Sequence, residues 1–499
     1  MLFSFENLHR QYLKCRRNKR NTANALAFEV RQEENLLGLK AALDNRTYTP
    51  SRSVCFVTQR PKLREIFAAD FRDRVVHHVL VDFLEAIWEP IFIHDSYACR
   101  RGKGVHAGVK RLQTFLRQAT ANGTRPVWYL QLDIRNFFMS IDKGLLFEML
   151  AKKTKDPDAL WLARVLVFHD CTTNYVMKGD ARLFERLPPH KTLFGCPPGK
   201  GLPIGNLNSQ FFANVYLNAL DQFVKHILKC RHYLRYCDDF VLLSTDPEEL
   251  RGWRAEIEVF LRERLLLELN PKREHLRPVG DGVDFLGYIV RRDYLLVRRR
   301  VVGHLRERLA GFVQRLVLDG PGYRRYRFDA ATLDELNAVL ASYLGHFGQA
   351  DSYRLRVALW WRFPFLAEYL GLEQASGRLN RKDRAPAGLR GVARQYRHFR
   401  HTFAGDVLFF QVGKFMEFYQ PGDVLIAREL GLGPMDVNRR GARYGFPVGH
   451  VGRYLPRLLA AGRSVTMIGE TGRFLDGVKE RLPRYRFEAL TESRTQDRC

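Results

Sequence analysis

Residues 233–244, YLRYCDDFVLLS, carry the reading on which the fold turns. Aromatic and branched residues stand on both sides of Asp238 and Asp239, which predicts two short strands joined at a tight turn. That turn sets Asp238 at the tip, with Leu234 and Val241 facing a core. Two adjacent carboxylates in an apolar strand pair are costly to bury unless something cationic compensates them. Upstream, VWYLQLDI (127–134) forms another strand-like run; it ends at Asp133 and is followed by Asn136, Phe137 and Phe138. Between the two runs a helix is expected over roughly 208–229, with Phe212, Val215, Tyr216, Ala219, Leu220 and Phe223 as its apolar residues. Strand, helix and hairpin make an α+β core. If the two strand edges lie side by side, Asp133 and Asp238 converge and offer hard oxygen ligands to two divalent ions about 4 Å apart. The plain alternative makes each Asp an ordinary turn residue.

Composition narrows the partners. The chain has 499 residues, which suggests roughly two to four domains, and 81 Lys plus Arg against 54 Asp plus Glu give a formal charge of +27. Apolar residues make up 46% and aromatics 12%, enough for sizeable cores and unlike a disordered chain. The charge is locally concentrated: Arg10, Lys14, Arg16, Arg17, Lys19 and Arg20 lie within residues 10–20, and residues 377–401 hold eight Lys or Arg against Asp383 alone. Such a surplus points to a polyanion, and nucleic acid is the favoured one. The 8 cysteines are scattered without a Cys-Xaa-Xaa-Cys pair, so neither a zinc ribbon nor a disulfide framework is expected. With no long apolar run and no secretory leader pattern, the expectation is a cytoplasmic, bacterial-type intracellular protein associated with nucleic acid and not with a membrane.

The chain reads in five parts. Residues 1–50 are a basic helical extension, and 51–295 mix short strands with helices, one of them over 75–88. Residues 296–371 read as helical throughout, with Leu305, Leu309, Phe312 and Leu316 along one face. A basic linker is expected over 372–404. A new α/β domain follows over 405–499, with strands DVLFFQV (406–412) and SVTMIG (464–469).

Several motifs in order make the region from about 50 to 370 resemble reverse transcriptases. RPKLREIFAADFRDRVV, from residue 60 on, looks like the fingers motifs, YLQLDIRNFFMSID (129–142) like the strand carrying the first catalytic Asp, and RYCDDFVLLS like the catalytic hairpin. LPIGNLNSQFF (202–212) is similar to the template and nucleotide motif, LNPKREHLRP (269–278) to the segment bearing a functional lysine, and DFLGYIV (284–290) to the primer grip. The resemblance implies a right-hand polymerase of fingers, palm (51–295) and thumb (296–371). Ile-Gly-Xaa-Xaa-Xaa-Ser-Gln at 204–210, with ASYLGHFGQADSYRL (341–355), further resembles the reverse transcriptases of diversity-generating retroelements. That group implies error-prone copying of a template RNA, especially at adenines, for transfer into a variable gene.

The resemblance also implies roles. Asp133, Asp238 and Asp239, with the carbonyl of Ile134, become the holders of two Mg²⁺ ions (Mn²⁺ able to substitute) that activate a primer 3′-hydroxyl and stabilise the leaving pyrophosphate. Lys62 and Arg64 fall to the incoming triphosphate, with Arg72 and Arg74 equally suited to pairing with Asp70 or Asp73. Phe138 would sit against the sugar and exclude a ribose; a core aromatic is the rival reading. Ile204 and Gly205 lie at the nucleotide, Asn206 and Gln210 at the template, and Phe285, Leu286, Gly287 and Tyr288 at the primer. Lys272 would donate a proton to pyrophosphate; a solvated lysine is its rival. Ile at 204 can neither donate nor accept a hydrogen bond, so discrimination between right and wrong pairs should weaken there.

Residues 405–475 carry a second resemblance, to the amino-terminal mismatch-recognition domain of MutS proteins. Phe415-Met416-Glu417 stands where that domain has its Phe-Xaa-Glu wedge: Phe stacks on a mispaired base and Glu hydrogen-bonds it. No P-loop follows. The rival reading packs Phe415 in the small domain's core and leaves Glu417 on its surface. Template RNA, a cDNA or DNA primer, dNTPs and a small basic accessory protein are the partners implied. Two other functions stay open: a group II intron-like or phage-defence reverse transcriptase of ordinary fidelity, and a non-catalytic RNA chaperone or mismatch-binding protein.

Overall fold

In the computed structural model, which describes residues 1–17, 22–59, 62–372, 379–384, 389, 391–418, 421–438, 441–475 and 477–490, the chain divides into two compact units, Met1–Tyr294 and Leu295–Cys499. The first unit opens on the helices Phe5–Arg16, Ala23–Val30 and Gln32–Asp44. Ser4 caps the first of them by accepting from the Asn7 N–H, and Leu8, Tyr12 and Cys15 recur at helical spacing to bury one face. Lys19 and Arg20 of the basic cluster lie outside the described residues.

Strands β1 (Ser53–Thr58) and β2 (Arg64–Ala68) form an antiparallel hairpin. The expected helix at 75–88 begins earlier, at Phe71, because Asp70 caps it through the Arg72 N–H. Strand β3 (Trp128–Asp133) lies in the core sheet, and β4 (Tyr175–Met177) joins β1 in parallel. The helix expected over 208–229 spans Leu207–Gln222 and runs on through a π-turn, Phe223–Ile227. Strands β5 (His232–Tyr236), β6 (Asp239–Ser244) and β7 (His275–Pro278) complete an antiparallel sheet of order β5-β6-β3-β7. Leu234 and Val241 are both buried, as the alternation requires. A second hairpin, β8 (Val283–Phe285) and β9 (Tyr288–Val290), closes the unit.

The second unit departs from the expectation of unbroken helix. After β10 (Leu295–Val297) and the helix Arg299–Leu316, the chain forms a hairpin, β11 (Val317–Gly320) and β12 (Tyr323–Arg327). Gly320-Pro321-Gly322 is a strong turn signal, and Gly322 adopts φ 74, which a side chain would resist. Three helices follow, Ala330–Phe347, Tyr353–Arg362 and Phe365–Tyr369, then β13 (Leu370–Leu372) and β14 (Leu379–Arg381). Within the stretch expected as a linker stands the helix Val392–Thr402, with Tyr396 and Phe399 buried. Arg394 and Arg397 face outward while Tyr396 and Phe399 enter the core, so its composition reads as linker and its packing does not.

The remaining strands are β15 (Val407–Val412), β16 (Phe415–Phe418), β17 (Pro434–Asn438), β18 (Gly441–Pro447), β19 (Val465–Leu475) and β20 (Val478–Ala489). They form a single eight-stranded sheet with the earlier hairpin, in the order β11-β12-β20-β19-β15-β16-β18-β17. β12 pairs antiparallel with β20 from Tyr323 opposite Ala489 to Arg327 opposite Tyr485. One core runs beneath: Leu309, Phe312, Phe328 and Tyr369 from the helical segment cluster with Phe399, Phe403, Leu408, Phe410 and Ile468. The helical segment and the carboxy-terminal α/β segment therefore share one unit instead of lying either side of a linker. Among the described residues no helix is long and apolar enough to cross a membrane.

Candidate active site

The β5–β6 hairpin turns on Cys237 and Asp238. Cys237 takes φ 57, a left-handed conformation held there despite its side chain. Asp133 stands directly opposite Asp239 across the β3–β6 ladder, and the Ile134 N–H donates to the Asp238 carbonyl at 3.2 Å. The three carboxylates thus share one edge of the sheet. Asp133 is buried and accepts from Asn270 Nδ2 at 2.9 Å and from Arg273 Nη1 at 3.3 Å. Gln131, two residues before it and on the same face, donates Nε2 both to Asp239 Oδ1 at 2.9 Å and to the Asp284 carbonyl at 3.1 Å. One amide thereby ties the carboxylate edge to the β8–β9 hairpin.

Burial, and then the neighbouring Asp133, push the Asp238 carboxyl above its ordinary range. Burial also drives Asp239 up to about 7, against the opposing Gln131 bond and with Asp133 and Asp238 adding to the rise. Partial desolvation, with the nearby Arg273 and Arg64, lowers Lys62, while Asp133 and Asp238 oppose that shift. Three cations and three carboxylates therefore occupy one neighbourhood. Among the described residues no three His, Cys, Asp or Glu side chains are gathered closely enough to form a finished metal cage. The donor chemistry nonetheless fits a hard divalent cation: all-oxygen, partly desolvated, and carrying like charges that a bound cation would relieve.

A raised carboxyl favours the protonated folded state, so this contribution to stability is full below the ordinary value of 3.8 and is lost as pH rises through about 7. Without divalent metal, Tm is expected to fall across that window, and Asp239→Asn to flatten the fall. A wild-type profile as flat as the variant's would contradict the assignment.

Arg235 is the main residue that the motif reading passed over. It is fully buried and forms a two-pronged pair with Asp221, Nε to Oδ1 at 2.7 Å and Nη2 to Oδ2 at 2.6 Å. Its Nη1 donates to the Cys237 carbonyl at 3.0 Å, and Tyr233 Oη donates to Asp221 at 2.8 Å. The pair braces from behind the turn that carries Asp238. An arginine inside an apolar strand was the available signal. Arg235→Met is expected to cost about 3–5 kcal/mol by leaving Asp221 buried and unpaired, read by urea unfolding. A loss under about 1 kcal/mol, the scale of a surface pair, would remove the bracing role.

The 203–210 loop docks on β2. The Phe67 N–H donates to the Ile204 carbonyl at 3.0 Å, and the Ala69 N–H to Asn206 Oδ1 at 3.1 Å. Gly205 adopts φ 120, and a Cβ there would come within 2.8 Å of Ile66 Cγ2, so glycine is required. Asn206 is consequently a buried clamp, whereas Gln210 is exposed at the first turn of the Leu207–Gln222 helix. Phe138 is half-buried just after Asn136, which holds φ 48. Arg64 and Lys62 are exposed, and Lys272 is exposed beside Arg273, which is the residue that touches Asp133. Phe285 and Tyr288 are buried, leaving the half-buried turn residues Leu286 (φ 52) and Gly287 (φ 94) at the hairpin tip. Arg74 donates to the Ala69 carbonyl at 2.8 Å and Arg72 lies 3.6 Å from Asp73, so both serve the fold.

In the carboxy-terminal segment Phe415 opens β16 at 36% exposure. Glu417, two residues on, is buried and 3.6 Å from Arg443. Here the wedge expectation divides: the ring is presented to solvent, and the carboxylate is held inside by an arginine. Neither half of the rival reading, a core phenylalanine and a surface glutamate, describes this placement.

Residues 58–290 match the family described as reverse transcriptase (RNA-dependent DNA polymerase), and residues 390–493 match MutS domain I. The chain thus resembles a reverse transcriptase over its first unit and MutS domain I over its carboxy-terminal segment. Protein YkfC of Escherichia coli (strain K12) is 24% identical over 286 residues, covering 51% of this chain and 70% of that protein. The group II intron-encoded protein LtrA of Lactococcus lactis subsp. cremoris is 23% identical over 364 residues, 60% of this chain and 56% of LtrA. Nuclear intron maturase 1, mitochondrial, of Arabidopsis thaliana is 30% identical over 318 residues, 48% of this chain and 44% of that protein. The chain therefore spans only about half the length of the latter two. Among solved structures, telomerase from Candida albicans in complex with a telomeric RNA fragment is similar over 60% of this chain and 54% of its own, at 11% identity and TM-score 0.36.

Proposed function

We propose that this protein copies an RNA template into DNA, adding dNTPs to a cDNA or DNA primer at the Asp133–Asp238 edge. The observation that carries the reading is the convergence of Asp133, Asp238 and Asp239 beside Lys62, Arg64 and Arg273. Mg²⁺ ions held by Asp133 and Asp238, with the Ile134 carbonyl as a further ligand and Mn²⁺ as a substitute, would supply Lewis-acid activation of the primer hydroxyl and of the departing pyrophosphate. Arg64 and Lys62 neutralise the triphosphate, and Arg273 sets the orientation of Asp133. Phe138 faces the sugar, Lys272 supplies a proton to pyrophosphate, and Leu286 and Gly287 meet the primer.

The narrower reading is error-prone copying at template adenines within a diversity-generating retroelement, assisted by a small basic accessory protein in a bacterial-type cytoplasm. It rests on Ile204, Ser209 and Gln210, and Asn208 Oδ1 and Ser209 Oγ are buried without a hydrogen-bond partner, leaving this turn short of fixed polar contacts. An intron-type enzyme of ordinary fidelity is favoured by a different observation, the intron names of the relatives LtrA and maturase 1.

Sequencing of products made on a defined RNA separates the two. Errors concentrated opposite template adenines, reduced severalfold by Ile204→Gln, are expected. An unchanged spectrum removes Ile204 from the account, and accurate wild-type synthesis favours the intron-type enzyme. The MutS domain I module is assigned to duplex binding through Phe415, with Glu417 supporting the strand.

A further inference from the structure

The helix Tyr353–Arg362 has two unlike faces. Leu359 is buried on one, with Leu355 and Trp360 packed against the same core. On the other, Tyr353 is 72% exposed and Trp361 82%, with Val357 exposed between them. The spacing i, i+4, i+8 sets the two rings about 12 Å apart along one side. Arg354 and Arg362 flank them, and Arg306 of the helix Arg299–Leu316 lines the same shallow groove. None of these three arginines forms an ion pair among the described residues, and the helix itself contains no acidic residue.

We infer that this face binds single-stranded RNA. Uncovered ring faces interleaved with uncompensated guanidinium groups match an unpaired polynucleotide, whose bases stack on aromatics while its phosphates take up the cations. A duplex keeps its base faces inside its own stack and offers no such partner. The choice of RNA over DNA rests on the function proposed above, in which RNA is the strand held beyond the copied stretch. None of its residues belongs to the carboxylate site, so the two are tested by separate substitutions.

The test is fluorescence anisotropy with a labelled unstructured RNA 20-mer and its DNA counterpart, on the full chain and on Tyr353→Ala/Trp361→Ala. RNA affinity is expected to fall at least about tenfold, with a smaller loss for DNA and with extension of a pre-annealed primer on a short template unchanged. Arg354→Gln/Arg362→Gln should flatten the salt dependence of RNA binding by about one log unit per log unit of salt. Circular dichroism checks that both variants fold, and the replaced side chains are exposed. RNA affinity unchanged in both variants overturns the inference. So does an equal loss for DNA, or a change from dimer to monomer in sedimentation, which would make the occupant a second copy. If the wild type binds RNA through this face yet synthesises no DNA, the inference stands and the polymerase reading falls.

Discussion

A chain ending at residue 371 is expected to lose the fold of residues 296–371 along with its MutS-like module. The cut would remove β20, the partner of β12 from Tyr323 to Arg327, and the Arg484 carbonyl that accepts from the Phe328 N–H at 3.0 Å. It would also remove Tyr396, Phe399, Phe403, Leu408, Phe410 and Ile468 from the core they share with Phe328 and Tyr369. Losing that apolar contact costs on the order of 10 kcal/mol, comparable to the whole stability of an ordinary domain. Glu368 would lose Arg486, now 2.9 Å away. Limited proteolysis reads the outcome: residues 296–371 should resist cleavage in the full chain and be cut rapidly in the truncated one. Equal protection in both would show that the two segments fold independently. One consequence follows for the module. Joined to residues 296–371 by a continuous sheet, it cannot act as a tethered appendage.

Asp238→Asn is expected to abolish DNA synthesis while leaving the fold as stable as before, or more so. The two effects have one cause. Asp238 is pushed up by burial and by Asp133, so its charge is a burden to the protein alone. An amide of the same shape relieves that burden and is a poor ligand for a hard cation. Loss of several kcal/mol of transition-state stabilisation corresponds to a rate fall of about a thousandfold or more. Asp133→Asn should be as inactive and less neutral to the fold, because Arg273 and Asn270 both bond that carboxylate. Single-turnover incorporation alongside thermal unfolding separates activity from stability. A variant that loses stability in step with activity would point to a structural carboxylate instead.

Much of the site was legible because its chemistry is local. Asp133, Asp238 and the apolar runs around them are written in contiguous segments, and alternation alone turns Leu234 and Val241 inward. What the sequence hid depends on distant pairings. Arg235 is visible as an odd charge in a strand, but Asp221 as its partner requires the fold. Gln131 looks like a routine polar residue until β8 is placed beside it. Arg273 and Lys272 are adjacent in the chain, and only the backbone direction at Pro271–Arg273 decides which one reaches Asp133. The linker expectation failed for a related reason: eight cationic residues dominate the composition of 377–401, while Tyr396 and Phe399 decide its packing. The hairpin β11–β12 was masked by the strong helices on either side of it.

The most direct test of the central claim is primer extension on a defined RNA with a DNA primer, all four dNTPs and Mg²⁺, comparing the full chain with Asp238→Asn. DNA complementary to the RNA, made by the wild type, absent without divalent metal and absent in the variant, is the predicted result. Synthesis that persists undiminished in Asp238→Asn would place the chemistry elsewhere and contradict the account.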